Sequence, residues 1–254
     1  MRIARDDSFW YNFFRLRFMK TYPFNPESIR SLFDHIAPKY DFLNHLLSLN
    51  RDIYWRRRAV QELKGCEGWI LDIATGTGDG AIEIIRGDGY LRQVFGIDFS
   101  ESMIRRAQKK MTRRGLLRNV FLGLGDALAL PFKEGSFSAS FIAFGLRNII
   151  EKEEALSEMV RVVKKGGKVV VLEFTFPQKG VMSRFYSIYI KKILPWLGGL
   201  LSGNKGAYTY LPESILRFQK VEDYKNLMIR AGLVEIRSFP LTGGIASILS
   251  GIKP

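Results

Sequence analysis

Glycines and carboxylates share one short stretch of the chain, Trp69 to Gly80, with the sequence WILDIATGTGDG. An apolar run that ends in Asp72 and then breaks into glycines predicts a buried strand that turns sharply into a helix. Gly76 and Gly78 allow the backbone to bend there and a ligand to approach it closely. The start of the following helix would point unpaired N–H groups at that ligand.

Two classes of ligand match this turn. Gly76, Gly78 and Ala81 satisfy the G-x-G-x-x-[G/A] pattern of dinucleotide-binding turns. A pyrophosphate bound there would lie against Asp72 and Asp79, and like charges repel each other. S-adenosylmethionine has no phosphate and carries an ammonium and a sulfonium group. The acidic turn therefore favours this methyl donor, with a nicotinamide or flavin dinucleotide as the alternative.

Further polar residues follow the next predicted strands. Asp98 ends QVFGID, about twenty residues beyond the glycines, where an acid accepts hydrogen bonds from a ribose diol. Asp126 ends NVFLGLGD and, with the Ala127 amide, is suited to read an adenine edge; an ordinary turn aspartate is the alternative. A fourth strand, FSASFIAFG, leads towards Arg147 and Asn148. Because open α/β sheets hold ligands at the carboxyl ends of their strands, we expect all these residues at one edge.

Strands and helices alternate along most of the chain, which predicts an α/β fold with an open, mostly parallel sheet of seven strands. Helices precede the first strand, the first of them from Asn25 to about Pro38, and they either cover the ligand cleft or pack behind the sheet. Ser100 is expected to cap the helix after the second strand. A later helix to about Lys164, a turn at residues 165–167 and a fifth strand from Lys168 are also predicted. After Pro177, apolar residues at helical spacing predict an insertion that covers an apolar substrate or packs on the core. The predicted parts are a basic-aromatic extension (1–24) and one domain (25–254), comprising a helical lid (25–66), a donor-binding core (67–176), a substrate-side insertion (177–220) and a C-terminal helix and strands (221–254).

The formal net charge of +14 is enough to attract nucleic acid or an anionic membrane surface. Residues 1–24 interleave aromatic and basic side chains, and a second stripe of this kind runs from Phe185 to Leu197. The N-terminal stretch is either a membrane-facing surface or an appendage packed on the domain. No zinc-ligand cluster, RNA-binding aromatic signature or helix-turn-helix spacing accompanies the charge, so nucleic acid is disfavoured and no metal is expected. A solvated basic surface is a further explanation.

The composition also bears on the compartment. Cys66 is the only cysteine, so no intrachain disulfide can form, which is typical of a reducing cytosol. We find no apolar run of about 18 residues or more and no clean signal segment at the start. We therefore expect a cytoplasmic protein, with peripheral contact at the inner face of the membrane.

Two longer motifs resemble the ubiquinone/menaquinone biosynthesis C-methyltransferases, a class I family that depends on S-adenosylmethionine. The similarity runs from about Ile29 to Pro254 and includes AFGLRNI (143–149), YLPESI (210–215) and the ending GIASILSGIKP. The residues that match the two motifs are Tyr40, Asp41, Asn44, Leu47, Ser48 and Trp55 in the first and Arg161, Val162, Lys164, Gly166, Gly167 and Glu173 in the second. The departures are Leu43 for methionine, Asp52 for histidine, Lys165 for proline and Thr175 for serine.

The resemblance implies a Rossmann-like, doubly wound class I methyltransferase fold. It also implies methyl-donor contacts at Thr77, Asp98, Asp126 and Ala127. The family has a further donor contact, a serine, where this chain has Ala143. One side-chain hydrogen bond of the family is therefore missing here.

The implied reaction is methyl transfer to a ring carbon of a reduced, prenylated quinone precursor, with demethylmenaquinol expected in preference to a benzoquinol. Carbon is a poor nucleophile until the neighbouring hydroxyl loses its proton, so the protein must stabilise a phenolate. We expect Arg147 to hold the phenolate and Asn148 to orient it. We expect Tyr40, Asp41 and Asn44 to shape the substrate side. The alternatives are a methyltransferase of the same fold that acts on another lipid or small molecule, and a non-enzymatic or nucleic-acid-binding protein.

Overall fold

The computed structural model describes residues 40–87, 89, 92–177 and 220–254, together with Asp34, Ala37, Ser183, Tyr186, Ile188 and Tyr189. The helices are α1 (Tyr40–Leu47), α2 (Arg51–Val60), α3 (Asp79–Arg86), α4 (Glu101–Arg114), α5 (Lys152–Val162) and α6 (Val221–Arg230). The strands are β1 (Trp69–Ile73), β2 (Gln93–Asp98), β3 (Val120–Leu124), β4 (Phe137–Ala143), β5 (Val163–Phe174), β6 (Val234–Leu241) and β7 (Ala246–Ile252). The predicted N-terminal extension, most of the helix predicted before Pro38 and most of the stripe 185–197 lie outside the described residues.

The seven strands form one sheet in the order β3-β2-β1-β4-β5-β7-β6. Strands β1 to β5 pair in parallel with their neighbours, whereas β7 runs antiparallel to both β5 and β6. The predicted α/β fold with a doubly wound, mostly parallel, seven-stranded sheet is confirmed. Strand order reverses between β1 and β4, and such a switch point opens a crevice at the carboxyl ends of the strands.

The central strand β1 is buried on both faces, which is why it appears in the sequence as a continuous apolar run. Ile70 packs in one cluster with side chains of α2 and α3. Leu71 and Ile73 pack in a second cluster with side chains of α5 and α6. Full burial of each such aliphatic side chain stabilises the fold by about 1.5–3 kcal/mol. The sheet is therefore a rigid base for the residues at its edge.

Local sequence signals mark both ends of α4. Ser100 caps α4 as predicted, since its Oγ accepts a hydrogen bond from the Met103 amide at 3.2 Å. α4 ends at Arg114, and Gly115 caps it in a left-handed conformation with φ 68°.

Strand β5 departs from the prediction. The sequence indicated a helix to about Lys164, a turn at residues 165–167 and a strand from Lys168, but the helix ends at Val162 and β5 begins at Val163. The pairing with β4 jumps from Phe137↔Val163 to Ala139↔Lys168. Residues 164–167 therefore form an irregularity inside the strand, with Gly166 at φ 73°.

Candidate active site

The carboxyl ends of strands β1 to β4 surround a crevice of about 130 Å³, at the point where the strand order reverses. The residues that line it include Gly76, Asp98, Asp126, Ala127, Ala143 and Asn148, with Tyr40 reaching over from α1. The sheet thus brings together the side chains that the sequence placed at the ends of separate strands.

Asp98 ends β2 and anchors the glycine turn. Its Oδ2 accepts a hydrogen bond from the Gly76 amide at 2.8 Å, and its Oδ1 accepts one from the Ser100 amide at 2.9 Å. Gly76 adopts φ 57°, which glycine tolerates without strain. Burial raises the pKa of Asp98 to about 6, although the amide hydrogen bonds oppose the rise. Asp98 lines the crevice, so its carboxylate is placed to accept hydrogen bonds from a diol.

Asp126 and Ala127 lie across the crevice from the glycine turn. The Asp126 Oδ1 accepts a hydrogen bond from the Leu128 amide at 3.0 Å, which orders the turn after β3. Burial raises the pKa of Asp126. Both residues line the crevice, as the adenine assignment requires.

Asp72 lies beneath the glycine turn and borders a separate small pocket rather than the crevice. Its Oδ2 accepts a hydrogen bond from the Thr75 hydroxyl at 2.5 Å. A Cβ atom on Gly80 would stand 2.8 Å from the same oxygen, so only glycine lets α3 begin this close to the carboxylate. Burial raises the pKa of Asp72 to about 7, opposed by the Thr75 hydrogen bond and the charge of Arg56.

A network of charged and polar groups ties α1 to the glycine turn. The Thr77 hydroxyl donates to Asp41 Oδ1 at 2.5 Å. Lys110, on α4, places its Nζ 2.6 Å from Asp41 Oδ2, 2.8 Å from Asp79 Oδ1 and 3.0 Å from the Thr77 hydroxyl. Thr77 and Asp79 line the small pocket beneath the turn. In this structure the Thr77 hydroxyl therefore holds α1 in place, and α1 in turn covers the site.

A second cavity of about 300 Å³ adjoins the crevice and is more apolar. It is lined by residues from α1, α2 and several loops, among them Tyr40, Asn44, Leu47, Asp52, Trp55, Arg56, Phe144, Arg147, Phe174, Tyr186, Tyr189 and Ile245. Tyr40 and Phe144 line both spaces and so mark their junction. Asn44 hydrogen-bonds the Tyr40 hydroxyl, and burial raises the pKa of Tyr40. The cavity has the size and aromatic walls that suit a planar ring.

Arg147 is held rigidly at the wall of the cavity. Its NH1 donates to Glu173 Oε1 at 2.9 Å and also to the carbonyl oxygen of Phe144. Its backbone amide donates to Glu173 Oε2 at 3.0 Å, and its guanidinium lies 5.2 Å from the centre of the Phe174 ring. The next residue, Asn148, lines the crevice instead. The two predicted catalytic neighbours therefore face different halves of the site.

The sequence did not identify Glu173, Asp52 or Phe144 as parts of the site. Asp52 is buried on the cavity wall, where it pairs with Arg56 NH1 at 2.6 Å and with His45 Nδ1 at 2.9 Å. Burial opposes the shift, but Arg56 and the neighbouring hydrogen bonds hold the pKa of Asp52 below its usual range. His45 and Asp52 meet only because the turn between α1 and α2 brings the two helices together, so the sequence carried no local signal for this pair.

Phe144 adopts a left-handed conformation with φ 58°, which is rare for an aromatic residue. Its amide donates to the Leu172 carbonyl at 2.8 Å, and its ring lies 4.6 Å from the ring of Phe174 and 5.1 Å from the guanidinium carbon of Arg56. The ring of Trp55 lies 6.1 Å from it, so packing by three side chains fixes the ring between the two spaces.

The residues present fit S-adenosylmethionine. The crevice offers carboxylates at Asp98 and Asp126 for a ribose diol and an adenine edge, and Gly76 leaves the turn open to close approach. The predicted Gly78 does not line the crevice; a Cβ atom there would collide with Met111 of α4, so this glycine allows the turn to pack on α4.

Asp72 and Asp79 place two carboxyl groups beside the turn, and Lys110 pairs with Asp79 at 2.8 Å. These carboxyl groups still favour a cationic ligand over a pyrophosphate.

Comparisons with known proteins agree with this geometry. A sequence profile of the ubiE/COQ5 methyltransferase family matches residues 22–253. The chain is 48% identical over 225 residues to a demethylmenaquinone methyltransferase of Thermus thermophilus, covering 88% of this chain and 100% of the relative. It is 42% identical over 228 residues to the ubiquinone/menaquinone biosynthesis C-methyltransferase UbiE of Geobacter sulfurreducens, covering 89% of each.

The fold is likewise found among solved structures. A possible histamine N-methyltransferase of Thermotoga maritima, an S-adenosylmethionine-dependent enzyme, matches with a TM-score of 0.63 at 23% identity, covering 88% of this chain and 99% of the other. The profile match spans most of the chain, and both relatives exceed 40% identity. The chain belongs to the ubiE/COQ5 methyltransferase family and is an S-adenosylmethionine-dependent methyltransferase.

Proposed function

We propose that this protein methylates a ring carbon of a prenylated quinol, with demethylmenaquinol as the substrate. The observation that carries the proposal is the junction at Tyr40 and Phe144, where an acidic crevice suited to the methyl donor meets an aromatic cavity that contains Arg147. The names of the two relatives support this class of substrate: one is a ubiquinone/menaquinone biosynthesis C-methyltransferase and the other a demethylmenaquinone methyltransferase.

We assign the donor contacts to residues of the crevice and the turn. Asp98 accepts from the ribose hydroxyls, while Asp126 and Ala127 contact the adenine. We assign the methionine end to the turn that contains Asp72, Gly76, Thr77 and Gly78. Gly76 lines both the crevice and the small pocket beside it, whereas Asp72 and Thr77 line only the small pocket. When bound, S-adenosylmethionine supplies an electrophilic methyl group.

The chain must then make the ring carbon nucleophilic. We assign Arg147 to hold the oxygen that becomes a phenolate, because its guanidinium is fixed on the cavity wall and carries a permanent positive charge. The side chains that hold Arg147 in place, Glu173 and Phe174, keep that charge in position before the substrate arrives. We assign Asn148 to orient the phenolate. Asn148 acts from the crevice side and shares the short turn Leu146–Asn148 with Arg147.

α1 supplies the cover of the site. Tyr40 lies over the junction and Asn44 lines the cavity, while Asp41 fixes the helix to the glycine turn. A closed, water-poor junction favours alignment of the ring carbon with the methyl group and strengthens the pull of Arg147 on negative charge.

We further propose that the enzyme acts at the cytoplasmic surface of a membrane. A prenyl tail keeps the substrate in lipid, whereas the methyl donor is dissolved in water. In the described part of the chain, no helix is long and apolar enough to cross a bilayer. The net charge of +14 favours an anionic surface.

The test is methyl transfer from labelled S-adenosylmethionine to a short-chain demethylmenaquinol and, in parallel, to a demethoxy-type benzoquinol. We expect mass spectrometry to place the label on a ring carbon of the naphthoquinol. Asp98→Asn, which keeps the shape of the crevice, serves as a donor-site control and should lose S-adenosylhomocysteine affinity. Binding of S-adenosylhomocysteine without methylation of either quinol would favour another substrate, and failure to bind it at all would contradict the donor assignment.

A further inference from the structure

α1 exposes two apolar side chains on the side that faces away from the cavity. Phe42 and Leu46 are spaced at i and i+4 and so lie on one side of the helix, and Leu49 follows in the turn after it, at the edge of the cavity. These three residues form an apolar stripe. Phe42 is 59% exposed and Leu49 is 79% exposed. Tyr40, Asn44 and Leu47 lie on the other side and line the cavity. Burying the cavity side therefore leaves this stripe without a partner in the described part of the chain.

α2 presents a basic and aromatic stripe of its own. Arg51, Tyr54 and Arg58 are spaced at i, i+3 and i+7. Arg51 and Tyr54 are exposed and Arg58 is half-buried. Asp52 and Trp55, on the other side of α2, line the cavity. An apolar stripe beside a cationic, aromatic one is the composition of helices that lie in a lipid interface.

The two stripes meet at the mouth of the cavity. Leu49 and Arg51 are both exposed and also line the cavity, so they stand at its opening. On the facing side, the Tyr189 hydroxyl donates to the Leu47 carbonyl at 2.5 Å, and Ile188 beside it is exposed. Exposed apolar side chains therefore lie where the cavity opens.

The turn that carries Leu49 is held in a strained shape. Leu49 and Asn50 adopt φ 52° and 60°, and the Asn50 amide donates to the His45 carbonyl at 2.7 Å. A leucine in the left-handed region is unfavourable, yet the turn projects it into solvent rather than into the core. The structure therefore maintains an exposed leucine at the cavity mouth at some expense of stability.

We propose that Phe42, Leu46, Leu49, Arg51, Tyr54 and Arg58 form an entrance surface that docks on an anionic lipid bilayer and receives the tail of the substrate. The assignment rests on the proposed function, since the tail is what connects the cavity to the lipid. Continuity of the surface with the cavity and its cationic rim both favour a lipid occupant over a protein one.

The experiment measures co-sedimentation of the full chain with phosphatidylglycerol-containing vesicles and with pure phosphatidylcholine vesicles, in the absence of substrate. We expect the wild type to prefer the anionic vesicles. Phe42→Gln/Leu46→Gln should lower its partitioning by about tenfold or more, because two apolar contacts are lost. Arg58→Gln should lower it by about fivefold and only with anionic vesicles. Ile229→Gln on α6 is the matched control, because Ile229 is also 59% exposed, and it should behave as the wild type.

A second measurement separates this proposal from the proposed function. Turnover of a long-tailed quinol in vesicles should fall in Phe42→Gln/Leu46→Gln, whereas turnover of a tail-less, water-soluble quinol should be unchanged. Wild-type partitioning of that variant would overturn the proposal. So would a drop in its melting temperature or a change in its oligomeric mass relative to Ile229→Gln, because the stripe would then be covered by other segments of the chain or by a second copy. Vesicle binding without methylation of any quinol would leave the surface standing and refute the proposed reaction.

Discussion

Replacement of Arg147 by methionine separates a catalytic from a structural role for this arginine. The side chain is 8% exposed and pairs with Glu173, which is fully buried. Methionine keeps most of the volume but removes the charge. Among the residues that the structure describes, Glu173 then keeps the backbone amides of Arg147 and Phe174 as donors. The variant therefore loses a partner for a buried carboxylate and, if the assignment is right, the group that holds the phenolate.

These two losses have different magnitudes and different remedies. Removing one partner of a buried ion pair costs about 3–5 kcal/mol, and the two remaining amide donors place Arg147→Met near the lower end. Adding Glu173→Gln removes the uncompensated charge, so the double variant should recover much of that stability. Loss of a group that stabilises developing negative charge lowers kcat by about 100-fold to 1,000-fold. The added Glu173→Gln substitution should not restore kcat, because it does not replace the positive charge of Arg147.

Urea unfolding and single-turnover methylation of a tail-less quinol measure the two effects on the same samples. Donor affinity, measured by calorimetry with S-adenosylhomocysteine, should stay near wild type in both variants, since Arg147 lines the cavity and not the crevice. A return of kcat together with stability in the double variant would refute the catalytic role, because a purely structural arginine predicts that coupling.

Three further outcomes are expected. Gly80→Ala should cost about 1–3 kcal/mol of stability and weaken S-adenosylhomocysteine binding in calorimetry, since its Cβ would stand 2.8 Å from Asp72 Oδ2. Because burial raises the pKa of Asp72 to about 7, folded protein binds a proton that unfolded protein has released, and the unfolding free energy should fall as pH rises from about 4 to about 7. Asp72→Asn should flatten that slope in urea titrations. Asp41→Asn should cost about 1 kcal/mol and speed proteolysis of α1, because it weakens the contact with Lys110 at 2.6 Å.

The sequence predicted the part of the fold that local signals determine. The strand QVFGID coincides with β2, and Ser100 caps the helix that it was expected to cap. The beginning of β5 was not predictable in this way, because the residues after Val163 pair with β4 at a register that only the neighbouring strand sets. Lysines and glycines in that segment resemble an ordinary turn when read alone.

The same difference between local and long-range signals applies to the candidate site. Asp98 and Asp126 were accessible to sequence reasoning, because residues that end parallel strands must converge on one edge. The cavity was not, since its walls come from α1, α2 and loops as distant as Thr242 and Ile245. Glu173 is one motif residue among many in the sequence, and only the folded chain places it against Arg147.

The position of Phe144 explains why the two spaces meet where they do. β4 delivers the chain to the switch point, and the left-handed turn at Phe144 immediately afterwards sends Arg147 into the cavity and Asn148 into the crevice. A regular continuation of the strand would keep successive side chains on alternating faces of the sheet rather than directing them into two spaces at its edge. Contacts with Trp55, Phe174 and Arg56 hold the strained residue Phe144 in place. This packing stabilises a backbone conformation that is unfavourable for an aromatic residue. Methyl transfer needs donor and acceptor aligned to within a fraction of an ångström, and a rigid aromatic ring at the junction supplies that constraint from the protein side.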